Sequence, residues 1–221
     1  MKVCTDSCLF GAWVAGKALH MKKSPEYILD IGTGTGLLSL MLAQKTIAKI
    51  DAVEIEKNAF EQASENFRAS PWKTRLNIFH SDIKKWNAPH NYDLIISNPP
   101  FFENDLISED AGKNISKHNA GIRLEELLPI VHKLLNADGR FAILLPQNRG
   151  NWFENIAIKD SLFVKEKIDT SQTYKHTFFR SVYIFQKEKT EKIENHLSIK
   201  NDHEGYTNEF KELLKDYYLK L

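Results

Sequence analysis

A chain of 221 residues has the length of one ordinary domain and can bury a core without a metal or disulfide staple. Lys and Arg number 30 against 29 Asp and Glu, so the net charge of +1 excludes capture of nucleic acid by bulk charge, though not a local basic patch. A 42% hydrophobic and 27% charged composition excludes a wholly disordered chain, and no apolar run approaches the roughly 20 residues of a membrane span.

Cys4 and Cys8 match neither a CxxC nor a zinc spacing and read as two reduced thiols, with no metal site. The apolar run Cys8–Ala15 (CLFGAWVA) has the length of a signal-peptide core. Asp6 ahead of it and Lys17, Lys22 and Lys23 behind it are wrong for cleavage, so it is expected to be a buried helical segment. From residue 27 strand and helix alternate. Tyr27–Ile31 is a strand ending in a Gly-rich turn, and Leu37–Lys45 is helical. Ile50–Ile55 is a second strand, and Lys57–Arg68 is an amphipathic helix stopped before Pro71. Leu76–His80 and Tyr92–Ser97 are the third and fourth strands, the latter halted by Asn98-Pro99-Pro100. Leu124–Leu135 is helical, and Asp138-Gly139 turns into a fifth strand, Arg140–Leu145.

Nearly continuous apolar strands separated by helices predict a parallel sheet covered on both faces. After Pro146, Leu162–Ile168 and Ser181–Phe185 read as an antiparallel pair closing one sheet edge. Residues 188–205 read as a linker, and Glu209–Leu219 as a terminal helix. The expectation is a single α/β domain over 1–221: a helical segment (1–23), a doubly wound, mostly parallel seven-stranded core (24–187), then linker and helix (188–221).

Chemistry gathers at two places. Asp30-Ile31-Gly32-Thr33-Gly34-Thr35-Gly36 joins a strand to a helix, and Glu54 ends the next strand, where ribose hydroxyls are received in doubly wound folds. The spacing is one residue shorter than the dinucleotide G-x-G-x-x-G. An acid before the first glycine repels a pyrophosphate and attracts an ammonium. S-adenosylmethionine suits this acid–glycine–acid arrangement, with a dinucleotide as the rival and a turn serving packing alone as the bland alternative. Asp82, in Ser81-Asp82-Ile83, either accepts from an adenine amino group or caps the next helix. The second place is Asn98-Pro99-Pro100-Phe101. Two prolines leave carbonyls exposed at the sheet's C-terminal edge, Asn98 adds a side-chain oxygen and Phe101 a flat apolar face. This set fits a planar amine, whose hydrogens two oxygens accept while its ring stacks on the aromatic. Taken alone, the same residues also make a turn that ends a strand.

With DIGTGTG, VE, SDI and NPPF in this order, the chain resembles the N6-adenine and N5-glutamine branch of Rossmann-type (class I) methyltransferases. More closely, Lys2-Val3-Cys4-Thr5-Asp6, Leu9–Trp13, Leu38–Gln44, Ser70-Pro71-Trp72, Asp93–Pro100 and Tyr206–Phe210 resemble the bacterial tRNA1(Val) N6-adenine methyltransferase family over nearly the whole chain. The resemblance implies methyl transfer from S-adenosylmethionine to N6 of the adenine beside the anticodon of a valine tRNA. It implies cofactor contacts at Asp30, Gly32, Gly34, Gly36 and Glu54, with Asp82 and Ile83 at the adenine. Thr5 and Asp6 are implied near the cofactor's amino acid end, and Asn98, Pro99, Pro100 and Phe101 at the target base. Cys4 stands where the family has Gly, and Phe101 where Tyr is commoner; NPPF is shared with guanine-N2 rRNA methyltransferases. Family members usually carry a short segment ahead of the K-V-G-T-D opening, and its RNA contacts are not expected here. Guanine-N2 methylation, glutamine methylation and a non-catalytic binding module are the alternatives.

Glu103, Asp105, Glu109 and Asp110 followed by Lys113, Lys117, His118 and Arg123 make either a phosphate-gripping lid or a solvated loop. Two further basic groups are Lys2, Lys17, Lys22 and Lys23, and Arg149, Lys165, Lys167, Lys175, His176 and Arg180. The chain is expected to work on tRNA as a cytoplasmic monomer, away from membranes.

Overall fold

The computed structural model describes residues 4–100, 122–203 and 205–220. The apolar segment near the N-terminus is helix α1 (Thr5–Leu19), buried from Cys8 to Ala15. There follow β1 (Tyr27–Ile31), α2 (Leu37–Lys45), β2 (Lys49–Glu54), α3 (Lys57–Ala69), β3 (Leu76–His80) and β4 (Tyr92–Ser97). The second half holds α4 (Leu124–Leu134), β5 (Leu135–Pro146), α5 (Gln147–Ala157), β6 (Phe163–Thr173), β7 (Phe178–Gln186), β8 (Ile193–Lys200) and α6 (Asn208–Leu214).

All eight strands form one sheet in the order β3-β2-β1-β4-β5-β7-β6-β8. Strands β1 to β5 are parallel, β7 is antiparallel to both β5 and β6, and β8 is parallel to β6. The chain runs outward from β1 to β3 and then returns to β4 on the other side of β1. Loops leaving β1 and β4 therefore diverge, opening a crevice at the carboxyl ends of these two strands, the place where doubly wound sheets bind ligands.

Side chains alternate across the strands, so each sheet face owns a core. Ile28, Ile50, Leu94, Ile96, Leu144 and Ile184 pack under α1, α2 and α6. Leu29, Val53, Ile95, Phe141, Ile143 and Phe185 pack under α4 and α5. Phe10 of α1 and Phe210 of α6 are fully buried, which ties both ends of the chain into the first core. Each is worth about 1.5–3 kcal/mol in apolar area removed from water.

Several boundaries differ from the sequence expectation. The sheet has eight strands where seven were expected, because β8 occupies the stretch read as a linker. Only Leu197 and Ile199 of β8 are buried apolar residues; backbone pairing with β6 is joined by a Ser171–Ser198 hydroxyl contact at 2.9 Å, an Asn195 to Glu166 bond at 3.0 Å and His196 stacked on Phe178. Asp138-Gly139 lies inside β5, where the pairing jumps from Tyr92↔Leu135 to Leu94↔Arg140 and absorbs the extra residues as an irregularity. Helix α5 was not expected at all. It is anchored by Phe153 and Ala157 and by Gly150, where a Cβ would stand 2.1 Å from the Tyr183 hydroxyl. Helix α6 stops at Leu214, and the N–H groups of Tyr217 and Tyr218 turn back onto the Leu214 carbonyl.

Candidate active site at the carboxyl ends of β1 and β4

The turn after β1 is built around Asp30. Its carboxylate is fully buried, and Oδ2 accepts from the Thr33 hydroxyl at 2.6 Å and the Ser39 hydroxyl at 2.7 Å. Oδ1 is buried with no partner among the described residues. Burial is the main cause that pushes this carboxyl up to about 6, the two hydroxyls pull the other way, and the Glu54 charge adds slightly to the rise. Two glycines make the turn possible for different reasons. Gly36, at φ +84°, starts α2 in the left-handed region, and a Cβ there would sit 2.5 Å from Phe67 Cε1. Gly32, at φ +71°, is exposed, and a Cβ would meet nothing within 4 Å. Bare exposed backbone at Gly32 and, two residues back, a buried carboxylate oxygen without a partner among the described residues are features that suit a cationic ligand.

Glu54, at the end of β2, is buried and holds the turn's shape. Oε2 accepts from the Gly34 N–H at 2.8 Å, and Oε1 accepts from the Ile55 and Glu56 N–H groups at 2.9 Å each. A carboxylate offers about four acceptor positions, so one remains for a further hydroxyl donor. After β3, the Ser81 N–H bonds the Glu54 carbonyl at 2.9 Å, which draws Ser81-Asp82-Ile83 against the same edge. Asp82 Oδ1 accepts from the Lys84 N–H at 3.0 Å and so stabilises a turn; among the described residues no helix lies between β3 and β4, so the helix-cap alternative is not realised. Ile83 is buried with Ile31 and Val53.

The second half of the site follows β4. Ile31 of β1 is in register with Ser97 of β4, and the Ser97 hydroxyl donates to the Ile31 carbonyl at 2.9 Å. Gly32 and Asn98 thus leave neighbouring strands side by side, about 4.8 Å apart by sheet spacing. Asn98 is half-buried, Pro99 is buried and Pro100 is exposed. Phe101 and the acid-then-basic stretch as far as His118 lie outside the described residues.

The first turn of α1 reaches the same edge. Ser7 Oγ accepts from Asn98 Nδ2 at 2.9 Å, and Asp6 Oδ2 lies 3.2 Å from Arg180 Nε of β7. Thr5 is exposed beside Tyr218. Among the described residues no hydrogen bond joins Thr5 or Asp6 to the glycine turn. The structure therefore brings Asp30, Gly32, Gly34, Gly36, Glu54, Asp82, Ile83, Asn98 and Pro99 to one edge, and ties Asp6 to Arg180. Ser7, Thr33 and Ser39 escaped the sequence reading. Thr33 and Ser39 are short polar residues on the turn and the following helix, a usable signal, whereas Ser7 lies 91 residues from its partner and carries none.

The expected basic groups divide. Lys17 pairs with Glu166 and stands over the Trp13 ring, and Lys22 and Lys23 follow the far end of α1, ahead of β1. Lys167 pairs with Asp169 at 2.8 Å. Arg180 lies opposite Pro146 at the carboxyl end of β5, with Arg149 in the first turn of α5 and Lys175 and His176 in the β6–β7 turn, all at the site edge. No group of three or more His, Cys, Asp or Glu residues with the arrangement of a metal site occurs among the described residues, and no helix there is long and apolar enough to cross a membrane.

The model of the methyltransferase small-domain family matches residues 14–139. A curated relative from Dyadobacter fermentans, a tRNA1(Val) (adenine(37)-N6)-methyltransferase, is 41% identical over all of this chain and 91% of its own length. A relative of the same name from Yersinia pestis is 35% identical over 99% of this chain and 88% of its own. Among solved structures, a predicted O-methyltransferase from Agrobacterium tumefaciens superposes with a TM-score of 0.69 at 14% identity, covering 96% of each chain. A putative RNA methyltransferase from Pyrococcus horikoshii gives 0.57 at 20% identity, over 81% of this chain and 82% of its own. At such identities the likeness is one of fold.

Proposed function

The chain belongs to the methyltransferase small-domain family, and from its full-length relatives at 41% and 35% identity we infer that it transfers a methyl group from S-adenosylmethionine to N6 of adenine 37 in a valine tRNA. The observation that carries the mechanism is the Ile31↔Ser97 register. It puts the acid–glycine turn, whose chemistry suits a cationic nucleoside, beside Asn98, whose chemistry suits a planar amine, on adjacent strand ends.

The residues of the β1 turn fit the cofactor. Asp30 Oδ1 and the open backbone at Gly32 would receive its amino acid end, and Glu54 would accept from a ribose hydroxyl. Asp82 and Ile83 would border its adenine. When bound, the cofactor supplies an electrophilic methyl group on a positively charged sulfur. The chain does the rest. Asn98 Oδ1 and the Pro99 carbonyl accept the two N6 hydrogens of an extruded adenine, drawing the nitrogen lone pair out of conjugation and aiming it along the edge toward β1. No strong general base is needed, because the methylated nitrogen, then positively charged and acidic, gives its surplus proton to solvent water after transfer. The enzyme acts as a metal-independent monomer in the cytoplasm.

The test is total tRNA from a strain lacking this gene, incubated with enzyme and labelled S-adenosylmethionine and mapped by mass spectrometry. Label in N6-methyladenosine at position 37 is expected, and label in guanosine refutes the assignment. Asn98→Ala should abolish transfer while cofactor binding persists.

A further inference from the structure

We propose that Ser7 is a positioning residue that sets which way round the Asn98 amide faces, an inference that rests on the proposed function. An asparagine amide is nearly symmetric in shape and opposite in chemistry on its two sides. With Oδ1 toward the target it accepts from the N6 amine, and rotated by half a turn it meets that amine donor against donor. Pro99 and Pro100 fix the backbone but do not choose between these states. Ser7 does. Its Oγ lies 2.9 Å from Asn98 Nδ2 and takes the amide's donor side, leaving the oxygen for the substrate.

A hydroxyl accepts here only if its own proton goes elsewhere. The Cys4 sulfur, 3.0 Å from Ser7 Oγ, is placed to take that proton, although either atom of this pair can donate; the proposed polarity runs from Asn98 Nδ2 to Ser7 Oγ to Cys4 Sγ. The reverse polarity, thiol to hydroxyl to Asn98 Oδ1, presents the wrong side of the amide. Cys4 and Ser7 are held in place as the N-cap and third residue of α1, and the next turn of that helix is buried in the core from Cys8 onward. Two residues along the same turn, Asp6 pairs with Arg180 of β7, so α1 is tied at once to the loop after β4 and to β7. The contact spans 91 residues in sequence and couples the N-terminal helix to the target pocket.

Two measurements test this. In protein labelled with 15N, the Asn98 side-chain amide is identified by its disappearance in Asn98→Asp. One of its protons should exchange slowly in the native protein and in Ser7→Thr, and at the free rate in Ser7→Ala. In steady-state methylation of tRNA, Ser7→Ala should lower kcat by about three- to tenfold, the size of one net hydrogen bond. KM for tRNA and Kd for S-adenosylmethionine should stay unchanged, and Ser7→Thr should recover the loss. In the weakened Asn98→Asp background Ser7→Ala should cost nothing further, since a carboxylate has no wrong side. An unprotected Asn98 amide, an undiminished kcat in Ser7→Ala, or an equal loss in the Asn98→Asp background overturns the inference. A native enzyme that leaves tRNA adenine unmodified overturns the substrate assignment, and the exchange measurement still decides the Ser7–Asn98 contact.

Discussion

Asp30 makes the site's most demanding prediction, because its carboxyl is raised to about 6 from the ordinary 3.8 with one oxygen unpartnered. A cationic ligand favours the ionised form. At about pH 5 only about one-tenth of a carboxyl with this value is ionised, against nearly all of it at about pH 7.5. The affinity for S-adenosylmethionine should therefore weaken about tenfold over that interval, with one proton released per ligand bound at the acid end. Stability of the ligand-free protein must show the same group with the opposite preference. The folded carboxyl binds its proton more tightly than the unfolded one, so Asp30's contribution falls as pH rises from about 4 to about 6 and stays low above. A shift of about two units corresponds to roughly 3 kcal/mol. Asp30→Asn should remove both effects: the ligand-free variant gains up to roughly 3 kcal/mol at neutral pH, less the cost of imperfect bonds to Thr33 and Ser39, and binds the cofactor poorly at every pH. Calorimetric titration with S-adenosylmethionine and urea unfolding, each at three pH values for both proteins, measure this. A native affinity that is flat across the range, or an Asn variant that binds as well as the native protein at neutral pH, refutes the reasoning.

The two glycines of the turn should separate folding from binding. Both glycines sit at positive φ, so an alanine is strained at either by about 1–2 kcal/mol. Gly36→Ala also meets Phe67 at 2.5 Å and should cost about 1–3 kcal/mol more by thermal or urea unfolding, whereas Gly32→Ala meets no clash and should add a loss of cofactor binding. Thr207→Ala removes a buried hydroxyl that accepts from the Phe210 N–H at 3.1 Å and donates to the Ser198 carbonyl at 2.7 Å. It should cost about 1–2 kcal/mol in urea, and no loss would mean that α6 is not held by its cap. Tyr92→Phe strips a 2.8 Å donor from the buried Asp51 carboxylate, which keeps Asn77, and should destabilise by about 1–3 kcal/mol without changing cofactor affinity.

What was legible in the sequence is what local pattern encodes. Asp30 and Glu54 could be placed because each ends a short apolar strand, and a strand followed by Gly-x-Gly-x-Gly leaves its acid at the sheet edge. Asn98 could be placed because two prolines end β4 beside it. The features that were missed depend on partners far along the chain. Strand β8 is polar over its first half and exists because β6 offers an unpaired edge, an interaction between backbones that hydropathy does not register. Helix α5 opens on Gln-Asn-Arg-Gly, a poor helical start, and is held by Phe153 and by Gly150 beneath Tyr183. Ser7 looked like one more polar residue ahead of an apolar run. Its meaning lies in the amide it meets.

The order of the strands gives physical sense to the near-cancellation of charge. On one side of β4 the carboxyl ends of β1 and β2 and the turn after β3 carry Asp30, Glu54 and Asp82. On the other side the ends of β5, β7 and β6 carry Arg149, Arg180, Lys175 and His176. Asn98 stands on the seam. A cationic methyl donor is drawn to the acidic half and a polyanionic RNA, on the proposed function, to the basic half, so opposite fields steer the two substrates to adjacent strand ends without competing for one patch. Neutrality overall is compatible with both binding, since screening over about 8–10 Å leaves each ligand to the local field at its own strand ends. The basic half is itself tempered, with Arg180 beside Asp6 at 3.2 Å and Lys175 beside Asp202 at 3.2 Å. Phosphates that engage these cations must compete with carboxylates already in place, which favours an RNA whose loop also fills the Asn98 pocket over one held by charge alone.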